Sequence, residues 1–247
     1  MYLLQEDKNG FLGPNTAVVY QLILEHNWLY PDNKILYRTC PLKTAKEIAK
    51  ANDVPVGSLD FVQTILDKSF CPILIPKQLQ THEFLHRKIS ICDSQQEIAK
   101  IAVKWNAHHV FVKSASQPKC DYGDFYSIWK VLQLPKDQYF VSEIVDFVSE
   151  WRCFVYQGKL VGARPYDGDE WVAPHKETVE KIIAAYQDAP EAYTLDVGVI
   201  RNEAGLFTVV IEVHDFVSCG LYGFENPVVL KMLEAGIHDI CSVHQAS

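Results

Sequence analysis

Two neighbouring stretches, Tyr193-Thr-Leu-Asp-Val-Gly-Val-Ile200 and Leu206-Phe-Thr-Val-Val-Ile-Glu-Val-His-Asp215, say most about the architecture. Both are rich in β-branched and apolar residues, and the polar segment Arg201–Gly205 separates them, so they read as one hairpin. Side chains alternate across a strand. Leu195, Val197 and Val199 therefore take one face, and Asp196 and Gly198 the other. On the return strand Val209, Ile211 and Val213 share one face, and Val210, Glu212 and His214 the other. With the turn at Arg201–Gly205, Ile200 pairs with Leu206, which puts Asp196, Glu212 and His214 on a common face. Asp196 then lies diagonal to Glu212, roughly 7–8 Å away at the backbone. Two such carboxylates can share a divalent cation. The competing reading is a solvated outer face, and the apolar neighbours of Glu212 weigh against it. Hard oxygen donors suit Mg²⁺, while His214 suits Mn²⁺ or Zn²⁺ better.

Outward from this hairpin, Trp151–Tyr156 and Lys159–Tyr166 flank Gln157-Gly158 and form a second hairpin. A two-residue turn there sends Arg152 and Arg164 to opposite faces, and a bulged three-residue turn puts them on one. Val110–Ser114 and Tyr139–Val145 read as strands, with Ser116–Gly123 as a loop between them. Lys113 ends an apolar strand, where a cation needs a partner such as phosphate, or else snorkels to water. Residues 94–106, 177–188 and 225–240 read as helices. Earlier, 14–28 reads as a helix, Lys34–Arg38 as a strand, and Thr44–Asn52 as a helix with Thr44 at its N-cap. Val54 begins the next piece, and Ser58 caps the helix after it. The apolar, proline-bracketed Cys71–Pro76 reads as a connection. This order gives a small α/β region over 1–75, a unit over 76–145 and another over 146–247, the latter two α+β with antiparallel hairpins.

The 247 residues carry 23 Lys plus Arg against 31 Asp plus Glu, a net charge of −8, with 48% apolar residues. That is a folded globular composition. It argues against non-specific nucleic-acid binding, which needs clustered positive charge. No apolar run approaches the length of a membrane span, so no membrane partner is expected. The seven cysteines form no C-x-x-C pair, which fits reduced thiols and a cytoplasmic location. Met1–Leu4 is followed at once by Gln5–Lys8, so no signal peptide is expected. There is no G-x-x-x-x-G-K-[ST], G-x-G-x-x-G or G-x-S-x-G.

The ordered set resembles the ATP-grasp superfamily, and within it the compact peptide ligases akin to the enzyme that adds glutamate to a ribosomal protein. The set comprises Lys113 at a strand end, the segment Ser142–Val145, Glu150-Trp-Arg152, a hairpin carrying Arg164, Asp196-Val-Gly198, and Glu212-Val-His214-Asp215. The resemblance implies an α+β fold of two subdomains clasping ATP, after a reduced α/β pre-ATP-grasp region. It implies that Lys113 holds ATP phosphates, with Arg87 standing in for an earlier phosphate-binding lysine. Glu143 and Val145 would offer backbone groups to adenine, and Glu150 would take the ribose hydroxyls. Arg152 and Arg164 would stabilise the transferring phosphoryl group. Asp196, Glu212 and His214 would hold Mg²⁺, with Mn²⁺ as an alternative. The loop Ser114–Gly123 stands where the superfamily has a glycine-rich lid, and Lys119 would supply charge there in place of backbone donors.

The activity so implied is ATP-dependent carboxylate–amine ligation through an acylphosphate, with release of ADP and phosphate. The acid would be a small molecule, peptide or protein terminus, and the second substrate an amine. Three readings compete with it. They are a phosphotransferase on the same fold, a nucleotide-binding protein that works through a partner without catalysis, and a metal hydrolase using Glu212, His214 and Asp215. An oligomer is compatible with all of them.

Overall fold

In the computed structural model, which describes residues 1–70, 74–117 and 122–242, Tyr2, Leu3 and Leu4 are all buried. A strand buried on both faces shows no alternation, so this short run forms the central strand β1 (Tyr2–Glu6) without any periodic signal. Strands β2 (Tyr37–Pro41) and β3 (Val54–Val56) flank it in parallel, in the order β2-β1-β3. Helix α1 (Pro14–Leu29) joins β1 to β2, starting with a proline in its first turn, where no N–H is needed. Helix α2 (Ala45–Ile48) joins β2 to β3, and α3 (Leu59–Leu66) follows β3. Tyr2 and Leu4 pack towards α1, whereas Leu3 packs with Ala45 and Phe61 of α2 and α3. The two layers of helix therefore lie on opposite faces of this sheet.

Three expectations shift here. The strand expected at Lys34–Arg38 begins at Tyr37, because the Asn27 side chain claims both backbone groups of Ile35, at 3.0 and 2.7 Å. The helix expected over Thr44–Asn52 is cut to Ala45–Ile48. Asn52 turns left-handed (φ 75°), and the Asp53 carboxylate takes the Lys50 N–H at 2.8 Å. Thr44 stands at the N-cap without a side-chain cap bond, while Ser58 does cap α3 through Phe61 N–H.

The second sheet is antiparallel, in the order β4-β7-β5-β6. It comprises β4 (Ile89–Cys92), β5 (His109–Ser114), β6 (Asp124–Ser127) and β7 (Tyr139–Ser142). The one-turn helix α4 (His82–Leu85) precedes it, and α5 (Gln95–Lys104) and α6 (Ile128–Val131) cover one face through Ile98, Ala102 and Val131. The strand expected over Tyr139–Val145 stops at Ser142, and 143–146 lead out of the sheet. The connection Cys71–Pro76 falls partly outside the described residues, and so does the expected lid charge at Lys119.

One carboxylate gathers the start of the loop after β5. Asp137 accepts from Ser114 Oγ (2.6 Å), Gln138 N (2.7 Å), Ser116 Oγ and the Tyr122 hydroxyl. Burial would raise its carboxyl, but these four donors outweigh that and lower it to about 2 from 3.8. A carboxylate with a depressed folded-state value stabilises above its unfolded value and loses that stabilisation as pH falls. Stability should therefore drop by on the order of 1–2 kcal/mol between pH 3.8 and about 2. Asp137→Asn should remove this step, as read by urea unfolding at both pH values. An unchanged pH profile in the variant would rule the network out as its source.

The third sheet runs antiparallel in the order β11-β10-β8-β9. It comprises β8 (Phe147–Tyr156), β9 (Lys159–Gly168), β10 (Ala192–Asn202) and β11 (Gly205–Asp215). Helix α7 (Lys176–Ala185) buries Val179, Ile182 and Ile183 against Leu195, Val197 and Val210. Each such side chain contributes about 1.5–3 kcal/mol. Helix α8 (Val228–Ser242) packs Val229, Met232 and Leu233 with α1 and Phe216. Among the described residues Cys40, Cys92, Cys153, Cys219 and Cys241 are free, and no helix is long and apolar enough to cross a membrane.

Candidate active site

The turn of the last hairpin is tighter than its composition suggests. Asn202 Oδ1 accepts the Ala204 N–H at 2.8 Å, and Asn202 pairs with Gly205, whose φ is +133°. Only Glu203 and Ala204 form the turn, instead of Arg201–Gly205, so every pair near it moves by one residue. Such a slip alone would turn Asp196 and Glu212 to opposite faces. A bulge at Ile211 reverses it: Val197 pairs with Val210, but Asp196 pairs with Glu212. The two acids are therefore directly opposite one another, closer than the expected diagonal.

The other hairpin behaves alike. Tyr156 pairs with Lys159 across a two-residue turn, which alone would split the arginines. A bulge at Val161 restores the register, and Arg152 pairs with Arg164. Arg152 also pairs with Asp196. One row of side chains, Glu212, Asp196, Arg152 and Arg164, thus crosses all four strands. A further bulge leaves Tyr166 without a direct partner strand position and lets its hydroxyl donate to Glu150 Oε2 at 2.8 Å.

Asp196 is 1% exposed and Arg152 8%. The guanidinium donates through Nε to Oδ1 at 2.8 Å and through Nη2 to Oδ2 at 2.7 Å. Burial raises the Asp196 carboxyl above its usual value, and Arg152 opposes that. Burial would likewise lower Arg152, but Asp196 more than offsets it and holds the guanidinium charged. Tyr222 and Tyr166 present their rings to Arg152 at 5.3 and 5.9 Å. Arg164 is held away from Arg152 by the Gly223 carbonyl at 3.3 Å and by the Phe224 ring.

Glu212 joins the two antiparallel sheets. Lys113 reaches across from β5 and donates to Oε2 at 2.5 Å, while His214 Nε2 meets Oε1 at 2.7 Å. Burial would push Glu212 up, but the hydrogen bond from His214 and the Lys113 ammonium hold it well below the usual carboxylate range. One donor atom each from Asp196, Glu212 and His214 lie within 4.8 Å of one another. Two carboxylates and an imidazole so converged fit a divalent cation by donor chemistry.

Between the sheets lies a cavity of about 350 Å³. Arg87, Lys113, Glu143, Val145, Glu150 and Glu212 all line it. Phe111, Phe140, Phe147 and Ile211 give it an apolar wall. Gly198 makes room for that wall, since a Cβ there would stand 2.2 Å from Phe147 Cδ1. Arg87 is 8% exposed and its donors are engaged: Nε to Ser142 Oγ at 3.0 Å, Nη1 to Val210 O at 2.6 Å, and Nη2 to Ile211 O at 3.3 Å. It thereby grips the bulge that aligns the acids, and burial lowers it to about 10. Glu143 pairs with Lys88 at 2.7 Å, and its N–H donates to Lys88 O. Burial raises Glu150, with the Tyr166 hydroxyl opposing. Tyr166 and Phe147 carried no sequence signal, because a bulge and a glycine on another strand position them.

A family model described as an ATP-grasp domain, the second family of its clade, matches residues 84–232. No curated protein matches the chain. Among solved structures, a RimK domain ATP-grasp protein from Sphaerobacter thermophilus DSM 20745 is similar with a TM-score of 0.57 at 10% identity, over 97% of this chain and 98% of that one. The D-cycloserine synthetase DcsG gives 0.48 at 12% identity, over 94% and 99%. The ATP-grasp ligase PsnB, complexed with precursor peptide PsnA2 and AMPPNP, gives 0.46 at 11% identity, over 65% and 55%. The family match spans more than half of the chain, and the likeness in fold covers nearly all of it: the chain belongs to this ATP-grasp domain family.

Proposed function

We propose that the chain is an ATP-dependent carboxylate–amine ligase, as members of the ATP-grasp family mostly are. One observation carries the reading. Six residues singled out for nucleotide or metal line one cavity between two antiparallel sheets, and the Asp196, Glu212 and His214 donors converge beside it. In this reading adenine enters the slot walled by Phe111, Phe140 and Ile211, beside the backbone of Glu143 and Val145. Glu150 takes the ribose hydroxyls. Lys113 meets the phosphates, whereas Arg87, expected to help it, has its donors on Ser142 Oγ and the Val210 and Ile211 carbonyls and holds the bulge instead; Arg152 and Arg164 neutralise the transferring phosphoryl group. Asp196, Glu212 and His214 would hold Mg²⁺, or Mn²⁺, which when bound adds positive charge at the phosphate oxygens. The division of the chain at 75 and 145 belongs to the same proposal.

The chemistry proceeds in two steps. A substrate carboxylate attacks the γ-phosphate and forms an acylphosphate with loss of ADP. An amine then attacks the acyl carbon, phosphate leaves, and an amide remains. The side chains work by positioning and by charge neutralisation in a site sheltered from water.

The test is calorimetry with ATP and Mg²⁺ on wild type and Lys113→Ala. A charged hydrogen bond is worth about 1.5–3 kcal/mol, so the variant should bind about 10- to 100-fold more weakly. ADP release that needs both an acid and an amine then establishes ligation. Absence of wild-type ATP binding would overturn the nucleotide reading.

A further inference from the structure

Among the described residues three buried side-chain polar atoms have no hydrogen-bond partner: Arg38 Nε, the Tyr193 hydroxyl and Thr194 Oγ1. Such atoms are uncommon, because a buried polar group left unpaired costs stability. Arg38 has its other two nitrogens on Asp53 and the Ile48 carbonyl, so its Nε is the remainder of an engaged guanidinium. Tyr193 belongs to the apolar core under α7, beside the Tyr186 ring. Thr194 is placed differently. It stands two residues before Asp196 on an unbroken stretch of β10, so the two side chains face the same way. Its hydroxyl, 0% exposed, therefore lies on the face that carries the acids.

On that face Thr194 has Phe154 of β8 directly opposite on one side and His214 of β11 directly opposite on the other. Ala192 and Asp196 come before and after it on its own strand. Phe154 and Ala192 offer no polar side-chain atom. Asp196 has both oxygens on Arg152. Phe216, Leu221 and Phe224 pack into the same cluster as Phe154 and Ala192, and Cys219 beside them brings only a thiol, a weak donor. His214 remains. Its Nε2 meets Glu212 Oε1 at 2.7 Å and stands 3.8 Å from Asp196 Oδ2, while its Nδ1 has no partner among the described residues. Residues directly opposite on a common face have Cβ atoms about 4.5–5.5 Å apart, a gap that a hydroxyl and an imidazole nitrogen can bridge.

A neutral histidine that gives Nε2 to a cation carries its proton on Nδ1, and that N–H needs an acceptor to fix the ring. We infer that Thr194 is the positioning residue for His214: its hydroxyl accepts the Nδ1 proton and holds Nε2 toward the Asp196 and Glu212 oxygens. The inference rests on the metal reading proposed above. The unpaired hydroxyl is then a cost the fold carries for the site, as functional positions often do. It also bears on which cation is taken. A fixed imidazole favours ions that accept nitrogen, such as Zn²⁺ or Mn²⁺, over Mg²⁺.

Thr194→Val tests this, since valine keeps the shape and drops the hydroxyl. Without metal the variant should unfold at a Tm no lower than wild type, because the unpaired group is gone. Zn²⁺ titrated by calorimetry should bind it about 10- to 100-fold more weakly. Thr194→Ser, which returns the hydroxyl, should recover most of that affinity. The segment His82-Glu-Phe-Leu-His86 is an H-E-x-x-H whose imidazoles lie 5.3 Å apart and offers zinc a second place, so the titrations are repeated with His82→Asn in each protein. Equal zinc affinity in wild type and Thr194→Val would overturn the inference and leave the metal reading standing. A lower Tm for the metal-free valine variant would overturn it too, since the hydroxyl would then serve the fold itself. Zinc binding that is absent from wild type, or that Glu212→Gln leaves unchanged, would overturn the metal reading and this inference with it.

Discussion

Arg152→Met should destabilise the protein by about 3–5 kcal/mol and abolish ligation together. The stability loss follows from burial: removing the guanidinium leaves the Asp196 carboxylate, 1% exposed, without its counter-charge. The loss of activity follows from the proposed role at the phosphoryl group. A second variant separates the two effects. Replacing a buried pair by apolar residues of similar volume is often neutral for stability. Arg152→Met combined with Asp196→Leu should therefore recover most of the urea-unfolding free energy while staying inactive. Recovery of turnover in the double variant would remove both residues from the chemistry. A single variant as stable as wild type would mean that the Arg152–Asp196 pair adds nothing net to the stability of the fold.

Glu212→Gln should lower turnover by on the order of 10³-fold, with little change in fold. The amide keeps the volume and can still meet Lys113 or His214, but it removes one of the two carboxylate charges that the proposal assigns to the cation. Loss of one well-placed electrostatic group in an enclosed site typically costs about 10²–10³ in rate. Rate measurements over a range of Mg²⁺ concentrations check it. Partial rescue at high Mg²⁺ is expected, and normal turnover in the variant would refute the metal assignment.

The alternation in 195–199 and 209–213 suffices to group Asp196, Glu212 and His214 on one face, and the structure has them so. The route differs, since a shorter turn and a bulge at Ile211 cancel. The bulge was not legible in the sequence, because Arg87, far upstream, holds the Val210 and Ile211 carbonyls. Local pattern cannot report a contact made by a distant strand. The choice left open for Arg152 and Arg164 fell to a two-residue turn followed by a bulge at Val161, which puts the two arginines opposite one another. Strand β1 escaped notice because burial on both faces erases alternation. Strands β4 and β6, four residues each, lie at the edges of their sheet and are too short to show a period. Ser58 shows the opposite case. A cap acts within three residues, so it can be read locally.

The row Glu212, Asp196, Arg152 and Arg164 has a consequence for how an anion would approach. Strands lie about 4.8 Å apart, so four opposite-signed groups span about 14 Å and sum to zero. Such an array has a strong near field and almost none beyond a Debye length of about 8–10 Å. Beyond that distance the net charge of −8 sets the sign of the weak, screened field that remains. A polyanion such as ATP would meet repulsion in the bulk and attraction only on reaching the basic side of the row, so the protein would capture it by contact and not by long-range steering.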